Sequence, residues 1–484
     1  MLSDRAKALR PVIQAAFDAG GLDAVCELFA RLEARVEELV ARVAELEKRL
    51  NMNSSNSSKP PSSDGLKRKP KSLRRKNTGR KPGGQPGHPG QTLHRSPAPD
   101  ITHATALDRC PDCGGDLRKE PVASVEKRQV FDLPPIAMQV TEHQAECKWC
   151  PRCAKWVTAP FPAEVTAPVQ YGAGMQSVMS YLNVGQLLPC GRTADICEDL
   201  FGHRPSGGSV VRAVARCAEK VAPAVERIAG VLRSSERLHA DETGVRCAGK
   251  THWIHVAGSA THTLYSHSPK RGREGFDAAA VLPDYRGNLI HDFWGPYDTL
   301  GDCIHTRCNA HLLRELTAFA EDGQRWAEGV ITALLAMKQA ADEARQRERA
   351  RISPSRLTPL KADYDRWIAK GLKAHPELAR QPGKRGRAKQ SRERNLLLRM
   401  KEKRDEVLRF ADDLSVPFDN NQAERDLRMI KVQQKVSGCF RSERGARVFC
   451  AIRSYLSTAR KHGLNLIESI KTAFVGQPLD FAPE

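Results

Sequence analysis

The chain has 484 residues, of which 28% are charged and 40% hydrophobic, with a net charge of +20 and a pI near 9.5. A positive excess of that size, on a chain apolar enough to build real cores, points to a polyanionic partner, with nucleic acid foremost. No run approaches the ~20 apolar residues that span a bilayer, and MLSDRAKALR at the amino terminus lacks the apolar stretch of a signal peptide. A cytoplasmic protein is therefore expected, nucleoid-associated when bound to DNA and with no membrane partner. Thiols stay reduced in that compartment, so the fourteen cysteines read first as metal ligands.

The first segment, 1–50, contains LDAVCELFARLEARVEELVARVAELEKRL (22–50). Val25, Leu32, Leu39 and Leu46 share one heptad position, and Phe29, Val36, Val43 and Leu50 share the other. Leu32, Leu39 and Leu46 at one seam position with the β-branched Val36 and Val43 at the other favour a two-stranded, zipper-like coiled coil, so a homodimer or higher oligomer is expected. The segment 51–100 opens on NMNSSNSSKPPSSD, which cannot bury a core. Nine of the fifteen residues from Lys67 to Lys81 are Lys or Arg, Arg74, Arg75 and Lys76 among them. Such a linker is predicted to be disordered alone and to track phosphates by releasing counterions.

Residues 101–160 read as a small β-rich module, with VEKRQVFDL and AMQVTEHQAEC suiting short strands. CPDCGG carries Cys110 and Cys113; CKWCPRC carries Cys147, Cys150 and Cys153. Two Cys-x-x-Cys turns are what a tetrahedral structural zinc site requires. Cys110, Cys113, Cys150 and Cys153 are the favoured ligands because CPRC mirrors CPDC, with Cys147 left as a spare thiol.

The segment 161–235 is helical. TADICEDLFGHRPSGGSVVRAVARCAEKV (193–221) reads as helix, turn, helix, with Ser209 as cap and Arg212 and Arg216 one turn apart on the second helix. A DNA-contacting helix-turn-helix and a plain helical hairpin fit it equally. From 236 to 320 the period changes. Three strand candidates, RLHADETGVRC, THWIHVAGSA and HTLYSHS, precede a helix near GREGFDAAAVL, a strand in GNLIHDFWGPY and a strand-to-helix passage in IHTRCNAHLLRELTAFA. That order describes a mixed sheet with helices on its faces. Residues 321–413 interrupt it with long helices, and 414–484 close the chain with basic helices.

VPFDNNQAERDLR (416–428) opens that last segment. Asn421 has the residue type of a helix N-cap, and Glu424, three residues on, completes a capping-box spacing. Glu424 has a second reading. Asp241 sits inside the first strand of the sheet and Asp292 ends the fourth, where isolated Asp is disfavoured by propensity. Carboxylates from neighbouring strands can converge, with Glu424 as a third oxygen donor. Three such groups repel one another unless a cation fills the patch. Mg²⁺, hard and oxygen-seeking, suits them, and two ions can assist in-line phosphoryl transfer. Arg425, Arg428 and Lys431 line one side of the helix at three-residue spacing, facing DNA on this reading. Asp298 and Asp302 compete with Asp292, and Glu242 competes with Asp241.

HADETG, IHDFWGPY, CNAHLLREL and PFDNNQAERDLR, together with the NSSNSSKPPSSD linker and CPDCGG module, resemble in order the insertion-sequence-66 family of bacterial DDE transposases. The resemblance implies an α/β ribonuclease-H-like catalytic core with an all-α insertion before the last acid. It also implies Mg²⁺-dependent (two ions, or Mn²⁺) cutting at transposon ends and strand transfer into target DNA, with Asp241, Asp292 and Glu424 as the acids. Structural Zn²⁺ and accessory proteins of the same element belong to the same picture. Cys308 and His311 match the family's Cys-x-x-His beside the core, with no metal assigned to them. A DNA-binding protein without chemistry and a ribonuclease-H-like nuclease of another pathway are the alternatives.

Overall fold

The computed structural model describes residues 4–53, 56–57, 93–134, 136–379 and 388–481. The basic stretch bearing Arg74, Arg75 and Lys76 lies outside them. The chain divides into two units. One comprises Met1–Lys71, Tyr171–Cys190 and Gly208–Glu484, the other Ser72–Gln170 and Gly191–Gly207.

In the first unit, α1 (Asp4–Asn51) is kinked at Gly20 and Gly21, where Gly21 adopts φ +65°. Beyond the kink the heptad residues Leu32, Val36, Leu39, Val43 and Leu46 are exposed, so among the described residues of one chain nothing buries the apolar seam.

The second unit carries a short hairpin, β1 (Cys147–Cys150) and β2 (Lys155–Thr158), paired antiparallel. A single bridge joins Arg109 and Asp116 around the first Cys-x-x-Cys turn. The strands expected over VEKRQVFDL and AMQVTEHQAEC do not form among the described residues. Val130 and Val140 are about nine-tenths exposed. With no partner sheet to cover one face, alternation alone does not stabilise a strand.

The helices α2 (Ala173–Ser180), α3 (Cys190–Phe201) and α4 (Gly207–Ser234) follow. Val210, Ala213, Cys217, Val221, Ala224, Ile228 and Leu232 are buried along one stripe of α4, the three-and-four spacing of a core-facing helix. Ser209 lies inside α4 rather than capping it. Arg212 and Arg216 are both exposed on α4.

The sheet is built from β3 (Arg237–Cys247), β4 (Lys250–Gly258), β5 (Thr263–Ser268), β6 (Asn288–His291) and β7 (Ile304–Arg307), with α5 (Arg273–Ala279) between β5 and β6. Its order is β5-β4-β3-β6-β7. The first three strands are antiparallel, whereas β6 and β7 run parallel to β3. Ala248 and Gly249 join β3 to β4 with φ of 48° and 77°, the left-handed pair that matches strand twist in a two-residue hairpin.

After β7 come α6 (Asn309–Glu321) and four further helices, α7 (Arg325–Gln346), α8 (Pro354–Ala374), α9 (Arg392–Glu402) and α10 (Arg404–Asp412). They share an apolar core that includes Trp326, Leu334, Met337, Tyr364, Leu397 and Phe410, and α10 returns to pack on β7. The chain ends with α11 (Asn421–Ser437), α12 (Glu443–Lys461) and α13 (Leu466–Phe474). The first of these lies against β3 and β4, the second against β5. No helix among the described residues is long and apolar enough to cross a membrane.

Candidate active site

The sheet registers explain how distant acids meet. Arg237, Leu238 and His239 of β3 pair with Asn288, Leu289 and Ile290 of β6. Carried two residues further, that parallel register sets Asp241 level with Asp292, one step beyond β6. Glu424 enters from the first turn of α11. α11 packs on β3, the strand that carries Asp241, and the charges of Asp292 and Glu424 both raise the Asp241 carboxyl.

All three carboxyls sit above their ordinary range. Burial drives Asp241 well up, followed by the charge of adjacent Glu242, with Asp292 and Glu424 adding to it. Burial also raises Asp292, against the backbone N–H of Trp294, which donates to it at 2.8 Å, and against Arg271, Arg307 and Arg399. Glu424 is raised by burial and lowered by Arg314, whose Nη2 stands 3.4 Å from its Oε1. Acids crowded and desolvated in this way hold their negative charge at a cost that a divalent cation relieves. The donor set is all oxygen, which suits a hard ion.

The competing carboxylates differ in their partners. Glu242 accepts Arg271 Nε and Nη2 at 2.9 and 2.7 Å on one oxygen, and the Tyr297 hydroxyl at 2.7 Å on the other. Asp298 is held by Arg307 and by Lys403. Asp302 stands largely in solvent, 3.7 Å from Arg286. Arg307 is itself buried, ties Glu406 of α10 at 2.6 Å, and donates to the backbone carbonyl of Asp292 at 3.3 Å. The helical segment before α11 thus braces the strand end bearing Asp292.

The capping expectation needs correction. The residue before α11 is Asn420, and Asn421 is already helical, so Asn421 and Glu424 form no capping box. Asn420 makes no side-chain cap either. Its amide donates to Ala240 O at 2.8 Å, its Oδ1 faces His239 Nδ1 at 2.8 Å, and its backbone N–H donates to Cys308 Sγ at 3.1 Å. Asn420, Arg271, Tyr297, Arg307 and Arg314 were not legible as site residues in the sequence. The DNN triplet was the only local signal for Asn420.

Cys308 and His311 approach Glu424, and the ligand atoms of the three lie within 4.8 Å of one another. Burial pushes Cys308 up to about 12 and His311 down to about 3, leaving both neutral. Arg425, Arg428 and Lys431 are exposed on α11. Arg425 reaches Gln422 at 2.8 Å and Lys431 reaches Gly244 O at 3.2 Å.

In the second unit the two thiol turns are alike. Backbone N–H groups of Cys113 and Asp112 lower the Cys110 thiol, and those of Cys153 and Arg152 lower the Cys150 thiol. Gly114 N donates to Cys110 O at 2.9 Å, closing the first turn. Paired turns whose amides favour thiolate are suited to zinc. Cys147 lies instead at the far end of the hairpin, opposite Thr158.

Comparison with known proteins identifies the family. Residues 168–448, more than half the chain, match the transposase IS66 family, and residues 108–154 match the zinc-finger binding domain of transposase IS66. Residues 9–94 match a family of unknown function (DUF6444). No curated protein matches the chain. The chain is therefore a transposase with a zinc-binding module. It belongs to the IS66 family of insertion-sequence transposases.

Proposed function

We propose that the protein binds the terminal inverted repeats of its insertion sequence and catalyses metal-dependent DNA cleavage and strand transfer, acting in the bacterial cytoplasm on nucleoid DNA. The observation that carries this is the parallel register that sets Asp292 level with Asp241, on the strand against which the Glu424-bearing helix α11 packs. The strand order, three antiparallel strands followed by two parallel ones, supports a ribonuclease-H-like core.

On this reading Asp241, Asp292 and Glu424 hold two Mg²⁺ or Mn²⁺ ions. When bound, such ions activate the attacking oxygen and stabilise the leaving one. Asp241 sits on a rigid central strand, Asp292 on a strand end braced by Arg307 and Glu406, and Glu424 on a helix fastened by Asn420. Fixed placement matters because in-line displacement tolerates little misalignment. Arg425, Arg428 and Lys431 would hold the DNA backbone beside Glu424, with Arg212 and Arg216 contributing from α4 and Arg74, Arg75 and Lys76 from the linker. The Cys110, Cys113, Cys150 and Cys153 thiolates would bind structural Zn²⁺. The exposed α1 seam supports pairing of two chains, which brings two transposon ends together.

The test is nicking of DNA carrying the element's ends in Mg²⁺ or Mn²⁺. Asp241→Asn and Glu424→Gln should retain end binding and lose cleavage by at least about a hundredfold, a loss of ~2.7 kcal/mol in barrier terms. End binding without cleavage by the wild-type chain in either metal would sink the enzymatic reading. Cleavage without strand transfer would identify a nuclease instead.

A further inference from the structure

A second group of metal-ligating side chains lies on the same sheet as the acids but at the other end of β3. Cys247 closes β3, His252 lies on β4 and His267 on β5, all three buried, with ligand atoms within 4.8 Å of one another. The registers Val245↔His252 and Ile254↔His267 put all three side chains on one face of the sheet, which is also the face of Asp241. Six residues of strand, ~20 Å, separate Cys247 from Asp241.

An ordinary apolar core does not account for this cluster. The rings of His252 and His267 stack with centroids 5.0 Å apart, and His252 Nδ1 meets His267 Nε2 at 3.0 Å. His267 Nδ1 is buried without a hydrogen-bond partner. A buried imidazole nitrogen left unpaired is costly, and an imidazole nitrogen is a ready metal donor.

The turn between α11 and α12 pairs with β3 beside the site. Phe440 N donates to Arg246 O at 2.9 Å, and Phe440 O accepts from Ala248 N at 2.9 Å, so the segment pairs alongside Cys247. Cys439 is adjacent to Phe440, and the charges reaching the cluster are those of Cys439, Glu443 and Arg447.

We propose that Cys247, His252 and His267 form a second structural zinc site, whose fourth position faces the α11–α12 turn beside Cys439 and Glu443. One thiolate and two imidazoles are the nitrogen and sulfur donors Zn²⁺ takes. Donor separations of ~3.3–3.6 Å in a tetrahedral site require only a slight parting of the two rings. The metal ties β3, β4 and β5 together beside the segment linking α11 and α12. The site stands independently of the catalytic reading.

The test uses the full chain with Cys110, Cys113, Cys150 and Cys153 replaced by serine, stripped by chelator and titrated with Zn²⁺ or Co²⁺. Beyond any ion that the three carboxylates hold, about one further ion per chain should bind, with a thiolate-to-cobalt charge-transfer band. Cys247→Ser should abolish the band, and His267→Gln should weaken zinc binding at least about tenfold, with circular dichroism reporting that each variant is folded. Failure to bind an ion, or binding that neither substitution changes, would overturn the proposal.

Discussion

Asn420 donates its side-chain amide to the carbonyl of Ala240, the residue before Asp241, at 2.8 Å. The backbone carbonyl of the same asparagine receives the N–H of Glu424 at 3.3 Å. One side chain therefore sets the distance between the strand that carries the first acid and the helix that carries the last. Their sequence separation places no limit on that distance; this contact does.

Asn420→Ala should cost about 1–3 kcal/mol of stability, because the buried Ala240 carbonyl loses its donor. Cleavage should fall further than that loss of fold explains, while affinity for DNA ends stays near the wild-type value. Asn420→Asp keeps an acceptor for His239 but no donor for Ala240, so it should fail to rescue. A variant with full cleavage at saturating metal would show that Asn420 does not position Glu424.

The raised acids make a signed prediction for stability. Asp241 has its native pKa above the unfolded value, so over that interval the native chain binds more protons than the unfolded one. Stability in chelator should then fall as pH rises from about 4. Asp241→Asn removes the ionising group and should flatten that slope. Added Mg²⁺ or Mn²⁺ should raise the melting temperature of wild type at pH 7–8 and leave the variant unmoved. Thermal melts across pH, with and without metal, read both effects. A pH slope of the opposite sign would contradict the electrostatic account.

For the zinc module, Cys110→Ser and Cys150→Ser should each remove about one zinc per chain, and Cys147→Ser should remove none. The physical difference is the amide-lined turn around Cys110 and around Cys150, set against the strand position of Cys147. Elemental analysis of the purified variants decides it, and zinc loss in Cys147→Ser would reassign the fourth ligand.

The heptad of α1 is exposed in the single chain, with Leu39 47% and Val43 54% accessible. If two chains cover it, Leu39→Glu should convert the wild-type oligomer to monomer, since glutamate keeps helix propensity but places charge in the seam. Light scattering after size exclusion measures the mass directly. An equal mass for wild type and variant would remove the seam as the interface.

Much of this protein can be read from local pattern. The heptad of α1, the paired Cys-x-x-Cys turns and the strand runs around Asp241 and Asp292 depend on spacing, which a single stretch of chain displays. The strands expected in the zinc module failed for a related reason. Alternation over VEKRQVFDL and AMQVTEHQAEC specifies a face but not a partner, and no sheet buries Val130 or Val140.

The sequence by itself determined which residues had chemistry to offer: three acids, two thiol turns and a strongly basic surface. The tertiary structure alone decided which of them meet. Parallel register sets Asp292 beside Asp241, while ion pairs and hydrogen bonds already occupy the carboxylates of Glu242 and Asp298. Asn420, which no local pattern singles out as a site residue, became a fastener because its donors and acceptors find partners on β3 and Cys308. Such contacts join residues up to about 180 positions apart. Their energies depend on geometry over a few ångströms, which no local pattern encodes.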